Sequence, residues 1–147
     1  MSNLEWLAEQ TRRIRVNVVR QAKGAGQGYV GQGLQSADIF AALFFHEMRW
    51  DPRELDDPGR DRFLLSVGHY AIAQYATLAA LGVIDEASLK TYGAHGSPLT
   101  ASTEPGELPG VEIAGGSLGQ GLGVAAGLAL GLRMRGSAAR VFNYMSD

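Results

Sequence analysis

Residues 62–67 (RFLLSV) form a short apolar run between a charged, proline-containing segment and Gly68-His69. An apolar run of this length without polar alternation suits a strand buried on both faces, the kind found in parallel sheets covered by helices. Residues 140–146 (RVFNYMS) form a second such run, just before Asp147. Helical patterns precede and separate the two runs. The expected architecture is therefore α/β, a parallel sheet flanked by helices, with too few strands here for a complete sheet. No repeat or linker divides 1–147, which reads as one domain or part of one.

The first helix is expected over about 3–23, where Leu4, Leu7, Thr11, Ile14 and Val18 recur at helical spacing. Arg12, Arg13, Arg15, Arg20 and Lys23 crowd its C-terminal half, where cations suit the helix dipole. A solvated face or a subunit contact explains them better than nucleic acid does. Residues 24–33 (GAGQGYVGQG) read as a flexible loop, with Ser36 capping a buried helix over 37–48. Residues 51–62 read as a solvated connection. Gly68-His69 opens a helix that ends near Gly82, and a short one follows Asp85. Residues 93–117 hold six glycines and three prolines, an extended loop of the kind domains use for binding.

The last helix is expected over about 118–135, with Gly119, Gly123, Gly127 and Gly131 along one face. Each costs ~1 kcal/mol relative to alanine, so the face is expected to lie against another backbone in a core or subunit interface. Gly121-Leu-Gly123-Val-Ala-Ala126 also matches the G-x-G-x-x-A pattern of dinucleotide-binding sheets. That reading needs a strand directly before Gly121. It also needs an acidic residue about 20 positions on, and Asp147 stands farther away.

Composition removes several classes. With 13 basic and 15 acidic residues the net charge is −2, leaving no global field for nucleic acid or an anionic membrane. There are no cysteines, so disulfides, thiolate metal sites and a cysteine nucleophile are excluded. No run approaches the ~20 apolar residues of a membrane span and no signal-peptide pattern opens the chain, so the expected location is cytoplasmic.

The ordered motifs are Gly28-Tyr29-Val30-Gly31, Ala37-Asp38-Ile39, Asp61-Arg62-Phe63-Leu64-Leu65-Ser66 with Gly68-His69, Pro109-Gly110-Val111-Glu112, and Gly116-Ser117-Leu118-Gly119-Gln120-Gly121. Together they resemble the N-terminal, thiamine-diphosphate-binding region of transketolases, and in layout the N-terminal subunit of the split, two-chain type. The resemblance implies transfer of a two-carbon ketol unit between sugar or sugar-phosphate substrates, with thiamine diphosphate and Mg²⁺. It implies a C-terminal partner subunit or region and a homo- or hetero-oligomer. It places His69 and Tyr29 in the catalytic set, His69, Gly116, Ser117 and Leu118 at the cofactor, and Asp147 on the metal. Ser146 stands where the family's metal motif has its first glycine. The chain is expected to stop at the motif's aspartate and not to be self-sufficient. Another thiamine-dependent activity, such as a synthase or a 2-oxo acid decarboxylating subunit, and a noncatalytic subunit of the same fold are the alternatives.

A carboxylate at the end of a parallel strand suits a hard cation bridging a diphosphate, whatever the family. A helix cap is the other reading of Asp147 and of Ser117, and a half-buried polar residue that of His69. The chain departs from the family at two positions. Tyr29 stands where a histidine is usual, and a phenol donates a hydrogen bond but is a poor proton shuttle near neutral pH. A second family histidine falls near Ser102-Thr103-Glu104, where none is present; His95 is nearby, and His46 is read as structural. The usual sugar-phosphate substrates are therefore not expected.

Overall fold

The computed structural model describes residues 2–145; Met1, Ser146 and Asp147 lie outside them. Helix α1 (Asn3–Ala25) starts from a capping box. The Ser2 hydroxyl accepts from the Glu5 amide at 3.3 Å, and the Ser2 amide donates to the Glu5 carboxylate at 2.7 Å. These bonds satisfy two amide groups, one of them an orphan donor of the first turn. Gly26, with φ +66°, ends the helix in the left-handed region. Ile14 and Val18 face the core, and Arg12, Arg15, Arg20 and Lys23 are exposed.

Helix α2 spans Val30–Ala42 and widens into a π-helical turn, Leu43–Glu47. This corrects the expected flexible loop over 24–33. The helix already includes Gly31 and Gly33, because Gly33 lies in the crossing with α1. A Cβ there would sit 2.7 Å from Val18 Cγ1, so close packing outweighs the poor helix propensity of glycine. Ser36 is therefore not a cap. It is buried in mid-helix, and its hydroxyl donates back to the Gln32 carbonyl at 2.7 Å.

Strand β1 is Arg62–Leu65 and β2 is Val141–Tyr144; they pair in parallel, with Leu65 beside Tyr144. The ladder extends one residue further through Ser66 N to Tyr144 O, 2.9 Å. Phe63 and Leu65 join the core with Phe40, Phe44, Phe142 and Tyr144. Alternation turns Leu64, Ser66 and Asn143 to the other face, under α4 (Gln120–Met134). Helix α3 (Ala71–Ala80), buried throughout, packs with α1 and α2; α2 lies on one face of the sheet through Phe40, and α4 on the other. The parallel α/β arrangement is as expected from the sequence. Among the described residues no helix is long and apolar enough to cross a membrane.

Asp61 and Arg140 stand immediately before the two strands and hold their amino ends together. Asp61 is fully buried and accepts from the amides of Arg49 (3.0 Å) and Arg140 (2.8 Å) and from both guanidinium groups. Burial alone would raise its carboxyl; the two amides and then the two guanidinium groups outweigh it and hold the pKa at about 2. The candidate site lies at the opposite, carboxyl end of the strands.

Candidate functional site

Ser66 directly follows β1 and reaches α4. Its hydroxyl accepts from the Gly121 amide at 3.0 Å, fixing the first turn of α4 over the strand end. Only a residue without a side chain fits there, since a Cβ on Gly121 would lie 2.5 Å from Ser66 Cβ. Two residues on, the chain turns through a single 3₁₀ turn, Gly68–Tyr70. A Cβ on Gly68 would fall 1.3 Å from the Gly115 carbonyl oxygen, so the loop before α4 lies directly on this turn. That loop is secured from below. The Gly115 amide donates to Thr103 O at 3.0 Å, Ser102 Oγ donates to Gly115 O, and Thr103 Oγ1 donates to Ile113 O at 3.2 Å.

His69 sits in the middle of the turn, half-buried. The Tyr29 ring, at the N-cap position of α2, packs on it at 5.2 Å between centroids and 54° between planes. Tyr70 packs on it at 4.9 Å. Beyond Tyr29 lies a cavity of about 270 Å³ lined by Gln27, Gly28, Tyr29, Tyr92 and Ala101. Burial, with Tyr29 adding to it, pushes the Tyr92 phenol above its ordinary range.

Gly116, Ser117 and Leu118 continue from Gly115 and are all exposed. Nothing approaches within 4 Å of where a Cβ would stand on Gly116 or Gly119, and Leu118 is 55% exposed. A side-chain-free backbone next to an unpacked leucine fits a ligand with both polar and apolar parts. Ser117 is not the cap of α4. Gly119 is, with φ +79° and no side-chain cap, and it lies outside the helix that the glycine spacing predicts to include it. Gly123, Gly127 and Gly131 do line one helix face, but no atom lies within 4 Å of their Cβ positions. The close backbone expected against that face is not supplied by the described residues. The packed face carries Gly121 and Ala125 instead.

The turn thus brings together His69, Tyr29 and, through Gly115, the 116–118 segment. Asp147 lies outside the described residues, and among those described no group of three acidic or histidine side chains could hold a metal ion. His46 is exposed, 3.5 Å from the Asn3 amide, and His95 is exposed in the loop. Ser102, near the position of the missing family histidine, is occupied in bonding Gly115 O. Sequence reasoning missed the anchoring role of Ser66. It also missed that Glu112, within the Gly-Val-Glu motif, pairs with Arg60 beside the strand entrance. The polar Ser66 ending an apolar run was the available signal. No strand directly precedes Gly121, so the dinucleotide reading lacks its first element.

The family model of the transketolase thiamine diphosphate binding domain matches residues 6–143. A transketolase family protein of Sinorhizobium fredii is 48% identical over 96% of this chain and 50% of its own length. One subunit of the apulose-4-phosphate transketolase of Phocaeicola vulgatus is 35% identical over 100% of this chain and 51% of its own. Transketolase of Campylobacter jejuni superposes with a TM-score of 0.89 at 28% identity, over 99% of this chain and 24% of that one. The chain spans about half the length, or less, of these relatives. The motifs on the 68–69 turn and the 115–121 segment belong to one domain type, and the chain is a member of the transketolase family, from its thiamine diphosphate binding domain.

Proposed function

We propose that this chain provides the thiamine-diphosphate-binding part of a transketolase that moves a two-carbon ketol unit between sugar or sugar-phosphate substrates, completed by a C-terminal partner subunit or region. The observation that carries the reading is the junction of the Gly68-His69 turn with the Gly115–Leu118 backbone at the carboxyl end of a parallel sheet. Open α/β sheets bind their ligands at that edge.

Bound thiamine diphosphate would supply the carbanion-stabilising chemistry. The chain's own residues have other tasks. Gly116 and Ser117 offer backbone groups, and Leu118 offers an apolar contact to a ring. The His69 imidazole holds or moves a proton beside the reacting atoms. Asp147 is proposed to hold Mg²⁺, which suits a carboxylate and diphosphate oxygens. The tyrosine in place of the family's usual histidine favours ketoses outside the ordinary pentose-phosphate pairs. A relative named for apulose 4-phosphate is in keeping with that.

The test is a ketol-transfer assay on the complete protein with its C-terminal partner, with and without thiamine diphosphate and Mg²⁺. Transfer that requires both, and that falls at least ~10²-fold in His69→Ala, supports the reading. Tight NAD binding with no response to thiamine diphosphate would sink it.

A further inference from the structure

We propose that Tyr29 is a positioning residue that acts through His69: its aromatic ring, rather than its hydroxyl, holds the imidazole in place. The proposal rests on the reading of His69 as the residue beside the cofactor, and it deepens that reading.

The backbone of His69 is fixed but its ring is not. Gly68 on one side is locked against Gly115, and Tyr70 on the other is nearly buried. Among the described residues, however, no group hydrogen-bonds either imidazole nitrogen of His69. Histidines that work on a ligand generally have their ring orientation set by a bond to one nitrogen. Here two aromatic rings do that work by contact. Tyr70 supplies the rigid side, since its own ring lies 5.4 Å from Tyr144 of β2, which in turn lies 5.3 Å from Phe40 in the core. Tyr29 supplies the other contact, 5.2 Å from the imidazole and tilted by 54°, within the range that aromatic pairs favour.

The position of Tyr29 does not follow from core packing or capping. Its side chain is 48% exposed, it stands apart from the hydrophobic core, and it makes no side-chain cap for α2. Its backbone is held instead, with the carbonyl accepting from the Gly33 amide at 3.0 Å, at the point where Gly33 crosses α1. A ring carried on a fixed backbone and resting on a half-buried histidine limits the rotamers of that histidine. Both imidazole nitrogens remain open to a ligand. Nothing in this arrangement uses the Tyr29 hydroxyl, which has no hydrogen-bond partner among the described residues.

The experiment compares Tyr29→Phe with Tyr29→Ala in the complete protein. Relaxation of the imidazole ring carbons is recorded without cofactor, the His69 signals being those lost in His69→Gln. Steady-state ketol transfer is measured with the partner present. Tyr29→Ala is expected to raise the mobility of the His69 ring and to lower kcat by about two- to tenfold, the range an aromatic pair is worth, with little change in KM. Tyr29→Phe is expected to recover most of that loss and to keep the ring ordered. A His69 ring as ordered in Tyr29→Ala as in the wild type would overturn the proposal. So would Tyr29→Phe as impaired as Tyr29→Ala with a raised KM, which would make the hydroxyl a substrate contact. Should no ketol transfer be found at all, the functional reading fails while the relaxation still decides whether Tyr29 holds the ring.

Discussion

Replacing Asp61 by asparagine changes one atom of a carboxylate that receives five hydrogen bonds. Oδ1 accepts from Arg140 N (2.8 Å) and Arg49 Nη2 (3.0 Å); Oδ2 accepts from Arg49 N (3.0 Å), Arg140 Nε (3.0 Å) and Arg140 Nη2 (2.8 Å). An asparagine keeps one acceptor oxygen and turns an NH₂ group towards donors on the other side. Two or three N–H groups then lose their acceptor and meet a like dipole. Breaking a buried pair typically costs about 3–5 kcal/mol. The guanidinium groups remain 54% and 44% exposed and can regain water, so the low end, about 3 kcal/mol, applies. Against a typical domain stability of about 5–15 kcal/mol that is a large share. It corresponds to a fall in Tm of about 6–12 °C.

The sign with pH follows from the depressed carboxyl. Its folded pKa of about 2 lies below the ordinary 3.8, so the stabilisation is complete above the unfolded value and is lost as pH falls through about 2. The gap between those two values is worth about 2 kcal/mol. Thermal unfolding of the complete protein by circular dichroism, at pH 7 and at steps down to pH 2, tests both parts. The wild type should exceed Asp61→Asn by the stated margin at pH 7, and the margin should shrink on acidification. A difference below about 2 °C at pH 7, or one that does not change with pH, would refute the reasoning.

Gly68→Ala places a methyl 1.3 Å from the Gly115 oxygen, so the turn and loop must part. Thiamine diphosphate affinity, measured by calorimetry, should fall more than about tenfold, with about 1–3 kcal/mol or more lost in stability. Gly127→Leu meets nothing within 4 Å and improves helix propensity, so it should not lower the stability of α4 itself. In the complete protein it should weaken assembly, and an unchanged size-exclusion profile would count against an interface there. Asp147→Ala should abolish the Mg²⁺ dependence of cofactor binding with the fold intact, and unchanged calorimetric affinity would end the metal assignment.

The strands were legible in the sequence because RFLLSV and RVFNYMS carry their burial in their own composition. Helix α3 was legible for the same reason. The start of α2 was not, since Gly31 and Gly33 read locally as a loop and only the crossing with Val18 makes them helical. Ser36 and Ser117 look like caps by residue type, yet one is buried in mid-helix and the other precedes a left-handed glycine. The Asp61 clasp depends on partners 12 and 79 residues away, a separation no local pattern encodes. Within the site, His69 and Gly116–Leu118 stood out through their motifs. The contact of Tyr29 with His69 did not, because it arises only when two turns from distant segments meet at the sheet edge.

Helix α4 has an outer face that the described residues leave uncovered. Its inner face rests on the strands through Gly121 and Ala125, with Leu128 and Leu132 half-buried beside them. Its outer surface carries Leu122, Val124, Leu130 and Met134, all exposed, around Gly123, Gly127 and Gly131. The three glycines cost about 3 kcal/mol of helix propensity. Each large apolar side chain left in water forgoes about 1.5–3 kcal/mol that burial would contribute. An exposed helix gains nothing from either feature, since alanine and polar residues would serve better there. A second surface lying close to the backbone of α4 would account for both features. Glycine then sets the distance of approach, and the leucines, valine and methionine supply the buried area. The same helix is tied by Gly121 to Ser66 directly after β1. A surface packed on its outer face would therefore bear on the segment that leads into the 116–118 backbone, and assembly would be coupled to that segment.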